Sequence, residues 1–270
     1  MPTRSTRCRT IWCGEAMRTA SIIRRLPAGM LLLGLASSAW ADDELSFDRP
    51  GIPFAASTLP AGGFAWEQGL PSVSFDRSQG TISREYVADT VLRFGLAERV
   101  ELQLSNDSQV WLRDSGAEPQ RGHGAGDAAI GVKVALPSRS DDFAWAVLAT
   151  ASVPTGREPY GSGDHLQTLA TTLSWELPQD RALAVYADVS HADAGDSWTL
   201  AANYTFVSHQ AWQAYVEAGV GHGEESTQGV GAGVAWMLGE HVQLDCSLLR
   251  GIGHDASDWQ GGVGIAFGFL

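Results

Sequence analysis

Basic residues are scarce in this chain: 18 lysines and arginines stand against 31 aspartates and glutamates. Six of the basic residues and one acidic residue precede Asp42, so residues 42–270 carry 12 against 30, a net charge of −18. So acidic a chain excludes nucleic acid as a partner, because phosphate contacts need a basic face. Cysteine is rarer still. Cys8 and Cys13 lie at the N-terminus, and Cys246 alone cannot close an internal disulfide. Cys246 falls on an apolar strand face, the place of a small packed side chain rather than a reactive thiol. After residue 41 there is no run of eighteen apolar residues, which excludes a spanning helix. A G-x-S-x-G elbow is missing too, and so is any H-x-x-x-H or paired His/Cys spacing. Ser190 and His191 are neighbours in sequence, which sends them to opposite faces of a strand. The chain is therefore read as no enzyme and as needing no cofactor.

What the chain does contain is alternation. Across residues 124–156, Ala128, Ile130, Val132 and Val134 share one face and Asp127, Gly131 and Lys133 the other. After a short polar turn, Phe143, Trp145, Val147, Ala149, Ala151 and Val153 oppose mostly small or polar residues. Period-2 alternation of this kind separates an apolar medium from a wet one. About ten tilted residues also suffice to cross a bilayer as a strand. The unit recurs to the C-terminus and predicts an all-β, transmembrane, antiparallel up-and-down barrel of about 12 strands, an even number as bacterial barrels have. A soluble sandwich would place more branched residues on its second face.

Residues 1–41 read as a signal peptide: Arg18, Arg24 and Arg25, a short apolar run, then Ala39-Trp40-Ala41. Residues 1–16 read as a mis-assigned upstream start. Residues 42–61 lack periodicity and form an extended N-terminal arm, in the periplasm or tucked into the barrel mouth. Residues 62–270 form the barrel. Connections alternate in length, with short turns on the periplasmic side and longer loops outside, among them residues 71–83 and 113–126.

The polar faces of the strands should line the lumen, with Glu67, Glu85, Asp89, Glu101, Asp127, Glu176, Asp188, Glu217 and Asp245 as acids. Arg93 and Lys133 are its bases, and Tyr186 and Tyr215 join the lining. Crowded carboxylates favour cations or neutral solutes over anions. The bland alternative is that they only keep the lumen wet. Trp145, Trp175, Trp198, Trp212, Trp236 and Trp259 sit at strand ends as a membrane girdle, where the ring is apolar and the N–H wet. His123, His165, His191, His222 and His254 fall on loops or their edges near acids. They are candidate ligands for a borderline divalent metal if one rim gathers them, and otherwise solvated loop residues.

Several stretches resemble one family. They are DRPGIPFAASTLPAGGFAWEQG at 48–69, LRFGLAERVELQL at 92–104, GAGDAAIGVKVAL at 124–136, SVPTG at 152–156 and the closing strands. Together they are similar to the outer-membrane proteins labelled "MetA-pathway of phenol degradation" or "transporter". The resemblance implies a monomeric barrel of a Gram-negative outer membrane that helps small, often aromatic compounds across. Its partners would be outer-membrane lipid, a small-molecule solute and the assembly machinery that inserts such barrels. One departure is the C-terminus, where Leu270 follows Phe269 in place of a terminal aromatic residue. The expected function is passive diffusion of small aromatic, cationic or neutral solutes. The alternatives are a plugged barrel with a structural, ligand-binding or metal-binding role, and behind it a lipid-hydrolysing barrel.

Overall fold

A computed structural model describes residues 45–78, 81–115, 119–209, 211–223, 226–252 and 256–270. The leader read at residues 1–41 lies outside them. The described chain is all strand and connection, with no helix among the described residues. Its strands are β1 (Phe64–Ser78), β2 (Thr81–Ala97), β3 (Val100–Ser115), β4 (Gln120–Gly124), β5 (Ala128–Leu136), β6 (Phe143–Val153) and β7 (Gln167–Leu177). They continue as β8 (Arg181–Ala192), β9 (Gly195–His209), β10 (Trp212–His222), β11 (Gly229–Met237), β12 (Val242–Gly251) and β13 (Trp259–Phe269). All pairings are antiparallel, each strand with its sequence neighbour except that β4 and β5 both pair with β3, and β1 also pairs with β13, so the sheet closes on itself. β3 meets β5 over its first half and β4 over its second. β4 and β5 thus share one place in the wall, and the thirteen segments fill twelve positions. Closure removes every sheet edge and satisfies the backbone without water, as a strand in lipid must.

Burial is inverted relative to a soluble core. Arg93 and Lys133 are 0 % exposed, while Val189 and Val220 are 58 % and 59 % exposed. The inward faces are charged, polar or small, and the outward faces carry Ile130, Leu200, Val216, Leu248 and Val263. Cys246 is also exposed, in register with outward Val234 and Val263 rather than packed inside. Aromatic pairs mark the short-turn end: Trp212 stacks on Trp236 at 5.0 Å, and Phe143 tilts against Trp175 at 5.1 Å.

Two of the expected loops are strand instead. β1 and β2 extend through most of residues 71–83, and β3 and β4 through most of 113–126. A bulge lies between Gly69 and Ser72 in β1, and another opposite Ala88 and Asp89, within residues 107–109 of β3. An inserted residue reverses the inside–outside parity beyond it, so the period-2 pattern breaks off where the strand continues.

Candidate functional site

Residues 45–63 run into the lumen before the chain turns back into β1. The segment has proline at 50, 53 and 60 and no strand partner, so its backbone N–H groups must find acceptors elsewhere. The inward carboxylates supply them. Glu67 accepts from the amides of Asp48 and Arg49, both at 2.9 Å. Glu217 accepts from Ile52 at 2.8 Å, and Glu101 from Leu59 at 2.8 Å.

Two charge clusters complete the attachment. In the first, Arg93 donates through Nε and Nη2 to Glu101 at 2.7 and 2.9 Å and through Nη1 to Glu67 at 2.7 Å. The same Nη1 reaches the Ser46 carbonyl at 2.9 Å. Lys133 Nζ sits 2.7 Å from the Asp48 carboxylate, and Gln103 bridges Asp48 and Glu101 at 2.8 Å each. In the second, Arg49 reaches back from the arm to Asp89 at 2.5 Å and Asp245 at 3.4 Å, while its carbonyl accepts from Gln243 at 2.9 Å. Small apolar contacts fill in around them: Phe47 and Leu59 pack on Ala65 and Ala266, and Phe54 meets Tyr186 edge-on at 6.0 Å. Glycine in the wall makes the room. A Cβ on Gly95 would lie 1.8 Å from the Pro60 carbonyl oxygen, a backbone atom that cannot swing aside.

Two cavities remain, and the arm lines the first. Toward the long loops a chamber of about 380 Å³ is lined by Gly51 and Ile52 of the arm and by Tyr186, Asp188, Thr199 and Glu217 of the wall. Toward the short turns a second, of about 530 Å³, is lined by Asp180, Ser208, Gln213, Met237 and Gln243.

The structure thus brings Glu67, Asp89, Arg93, Glu101, Lys133, Tyr186, Asp188, Tyr215, Glu217 and Asp245 into the interior. Most of them grip the arm rather than line an open pore. Glu85 and Glu176 keep the inward parity of their strands, Glu85 opposite Ser74 and Glu176 beside outward Trp175, but both lie exposed toward strand ends and clear of the arm. Asp127 has a different task from the one its strand face suggested. It sits between β4 and β5 and accepts from the Gly156 amide at 2.8 Å and from the Ser162 amide and hydroxyl at 2.7 Å each. Partial burial opposes its charge, but these donors prevail and hold its carboxyl below the usual aspartate range. Asp127 therefore fastens the loop of residues 154–166 onto the wall. Arg49 and Asp48 are the functional residues that strand reasoning passed over. The surplus of inward acids over two inward bases was the signal that other donors had to reach them.

The six girdle tryptophans all lie on the outer face, four of them exposed and Trp145 and Trp175 half-buried. Trp66, 40 % exposed, stacks on Phe267 and adds to the ring. The histidines do not converge. His123 and His222 lie in register with outward Trp111 and Trp198, on different sides of the barrel. His165 is exposed, and His191 pairs with Asp196 at 2.6 Å. His254 lies outside the described residues. Among the described residues no three potential metal ligands cluster. Ser190 and His191 do face apart: Ser190 is buried against Thr168 at 2.8 Å and His191 is exposed.

A family model described as "Putative MetA-pathway of phenol degradation" matches residues 47–269. Among solved structures, the COG4313 outer membrane channel from Pseudomonas putida F1 superposes with a TM-score of 0.65 at 12% identity, covering 82% of this chain and 100% of that one. The KdgM porin in complex with disordered oligogalacturonate gives a TM-score of 0.51 at 8% identity, covering 77% and 99%. No curated protein sequence matches. At such identities the two structures establish a common outer-membrane barrel fold.

Proposed function

The chain belongs to the family described as putative MetA-pathway of phenol degradation, and from that premise we propose that it is an outer-membrane channel for small solutes, kept shut at rest by its own N-terminal arm. One observation carries the reading: the arm lies inside the barrel against inward residues of β1, β2, β3, β10 and β12, and the contacts holding it are mainly hydrogen bonds and ion pairs that water can replace. The fold is shared with proteins described as an outer membrane channel and a porin. The short turns lie in the periplasm and the longer loops outside. The barrel works as a monomer without a cofactor, is exported by the leader at residues 1–41, and is inserted by the cell's barrel-assembly machinery.

The solute is neutral or cationic. The outer chamber presents Asp188 and Glu217, and among the described residues no basic side chain lines it. The porin's oligogalacturonate is a polyanion, the charge this chamber repels, so that ligand does not transfer. A neutral aromatic of phenol's kind, the chemistry in the family's description, would meet Tyr186 there without shedding a charge.

The test is conductance across planar bilayers under a salt gradient, comparing the mature chain with a variant lacking residues 45–59. The expected result is brief, cation-leaning steps from the first and larger, longer openings from the second. Glu217→Gln together with Asp188→Asn should lower the cation preference. Equal conductance with and without the arm would remove the plug, and silence from both would remove the channel in favour of a ligand-binding barrel.

A further inference from the structure

On the outer wall, Phe75 of β1 stands opposite Arg84 of β2, Arg84 opposite Arg113 of β3, and Arg113 opposite Arg121 of β4. Directly opposed residues of antiparallel strands share a face, so three arginines form one continuous row. The register continues through Trp259 of β13, which stands opposite Phe75 and, on its other side, Arg250 of β12. Trp259 is an outward residue, 42 % exposed. The whole row therefore faces away from the lumen.

Its level is set by length. β13 spans 11 residues from Trp259 to Phe269, about what a strand needs to cross the hydrocarbon. Trp259 thus marks the outer border of the apolar wall, and because a register row climbs outward across these tilted strands, from Phe269 through Phe64, Phe94 and Leu102 to Val132, Arg84, Arg113 and Arg121 lie progressively beyond that border, at the level of headgroups and sugars. Aromatic rings bracket the row. The Arg84 guanidinium lies over Phe75 and that of Arg113 over Tyr86, each 5.5 Å from the ring centroid. Trp111 stands in register with Tyr86 one step nearer the apolar wall.

Like charges directly opposite one another destabilise a sheet. Arg250 has Asp258 within 3.7 Å, yet among the described residues Arg84, Arg113 and Arg121 have no acidic partner within ion-pair distance. The acids of the same strands, Asp76 and Asp114, take the opposite parity and face inward. Within a chain with 30 acids after residue 41, these arginines thus concentrate positive charge, unpaired among the described residues, on one outward patch just beyond the apolar wall.

We propose that the Arg84–Arg113–Arg121 row binds the phosphate groups of a phosphorylated glycolipid in the outer leaflet, seating that lipid's sugar–phosphate head against Phe75, Tyr86 and Trp111. Guanidinium forks bind phosphate oxygens in pairs. An anion between the strands turns the mutual repulsion into attraction. The proposal rests on the outer-membrane placement above but not on an open lumen.

The experiment uses the full mature chain refolded in neutral detergent, with folding verified by its heat-modifiable migration on gels. Three probes are added separately: lipid A with both phosphates, the same lipid dephosphorylated, and inorganic phosphate. Only diphosphorylated lipid A should raise the melting temperature. In Arg84→Gln/Arg113→Gln/Arg121→Gln the apparent affinity for it should fall on the order of a hundredfold, about fivefold for each charge removed. Without lipid, the triple variant should melt at or above the unsubstituted chain, because the repulsion is gone. A structural role for the arginines predicts the reverse. An equal shift with dephosphorylated lipid, an equal shift with inorganic phosphate, or full binding by the triple variant would each overturn the proposal. Should the triple variant not refold, Arg113→Gln, at the centre of the row, decides by the presence or absence of the fivefold loss. Conductance is read separately, so a silent channel leaves this result intact.

Discussion

Replacing Arg93 with methionine should release the arm and leave the barrel standing. Arg93 is 0 % exposed and makes three short contacts to Glu67 and Glu101 and one to the Ser46 carbonyl. Without it, Asp48, Glu67 and Glu101 face each other with Lys133 as their remaining cation. Removing one partner from a buried pair costs about 3–5 kcal/mol. Water can enter the lumen once the arm moves, so the lower end of that range applies. At about 3 kcal/mol the detached fraction of the arm rises on the order of a hundredfold. Hydrogen exchange of the refolded protein reads this directly. The amides of Asp48, Arg49, Ile52 and Leu59 each donate to a wall carboxylate, and their protection should fall by that factor. Amides of the strand ladders should keep theirs. Arg93→Lys, which keeps the charge and loses the fork, should fall between. Unchanged protection at the four arm amides would refute the reasoning. So would equal loss along β1–β3, since the cluster would then hold the wall rather than the arm.

Gly95→Ala should displace the arm at its other end, because the new methyl meets the Pro60 carbonyl; raised exchange at Leu59 without a change in melting temperature is the expected pattern. Asp127→Asn should free the loop of residues 154–166, seen as lost protection at Gly156 and Ser162 near pH 7. In the unsubstituted chain the same contact is lost only in acid. Its carboxyl is held below the ordinary value by donors that favour the charged form. The loop's stabilisation is therefore complete above the unfolded aspartate pKa of about 3.9 and disappears as the pH falls below it. Cys246 should react with a lipid-soluble maleimide in vesicles and resist a water-soluble one, since it shares the outward register of Val234 and Val263. Rapid labelling by the water-soluble reagent would place that face of β12 in water.

The strands were legible because lipid and lumen impose one rule on every residue of the wall. Alternation at residues 182–190 or 242–248 could satisfy no other arrangement of a closed sheet. Two features broke the pattern. The bulges after Gly69 and near Ser108 shift parity, so β1 and β3 look shorter in sequence than they are. The arm obeys no period at all, and its place is fixed by ion pairs between residues far apart, such as Arg49 and Asp245. Inward acids were recognisable from their strand faces, but their partners were not. A carboxylate on a lumen face looks the same whether it will meet a passing cation, a backbone amide of the arm, or, as at Asp127, the serine of a neighbouring loop.

The arm's bonds also carry an order of events. Those to Glu67, Arg93, Glu101 and Lys133 involve only strands β1, β2, β3 and β5, whereas Ile52 must wait for Glu217, 165 residues later, and Arg49 for Asp245, 196 residues later. A growing, half-curled sheet can therefore hold the first part of its arm while the far wall does not yet exist. The final contacts become available only once β10 and β12 are in place across the lumen. If the arm plugs the channel as proposed, a finished barrel is then closed from the moment its far wall is in place.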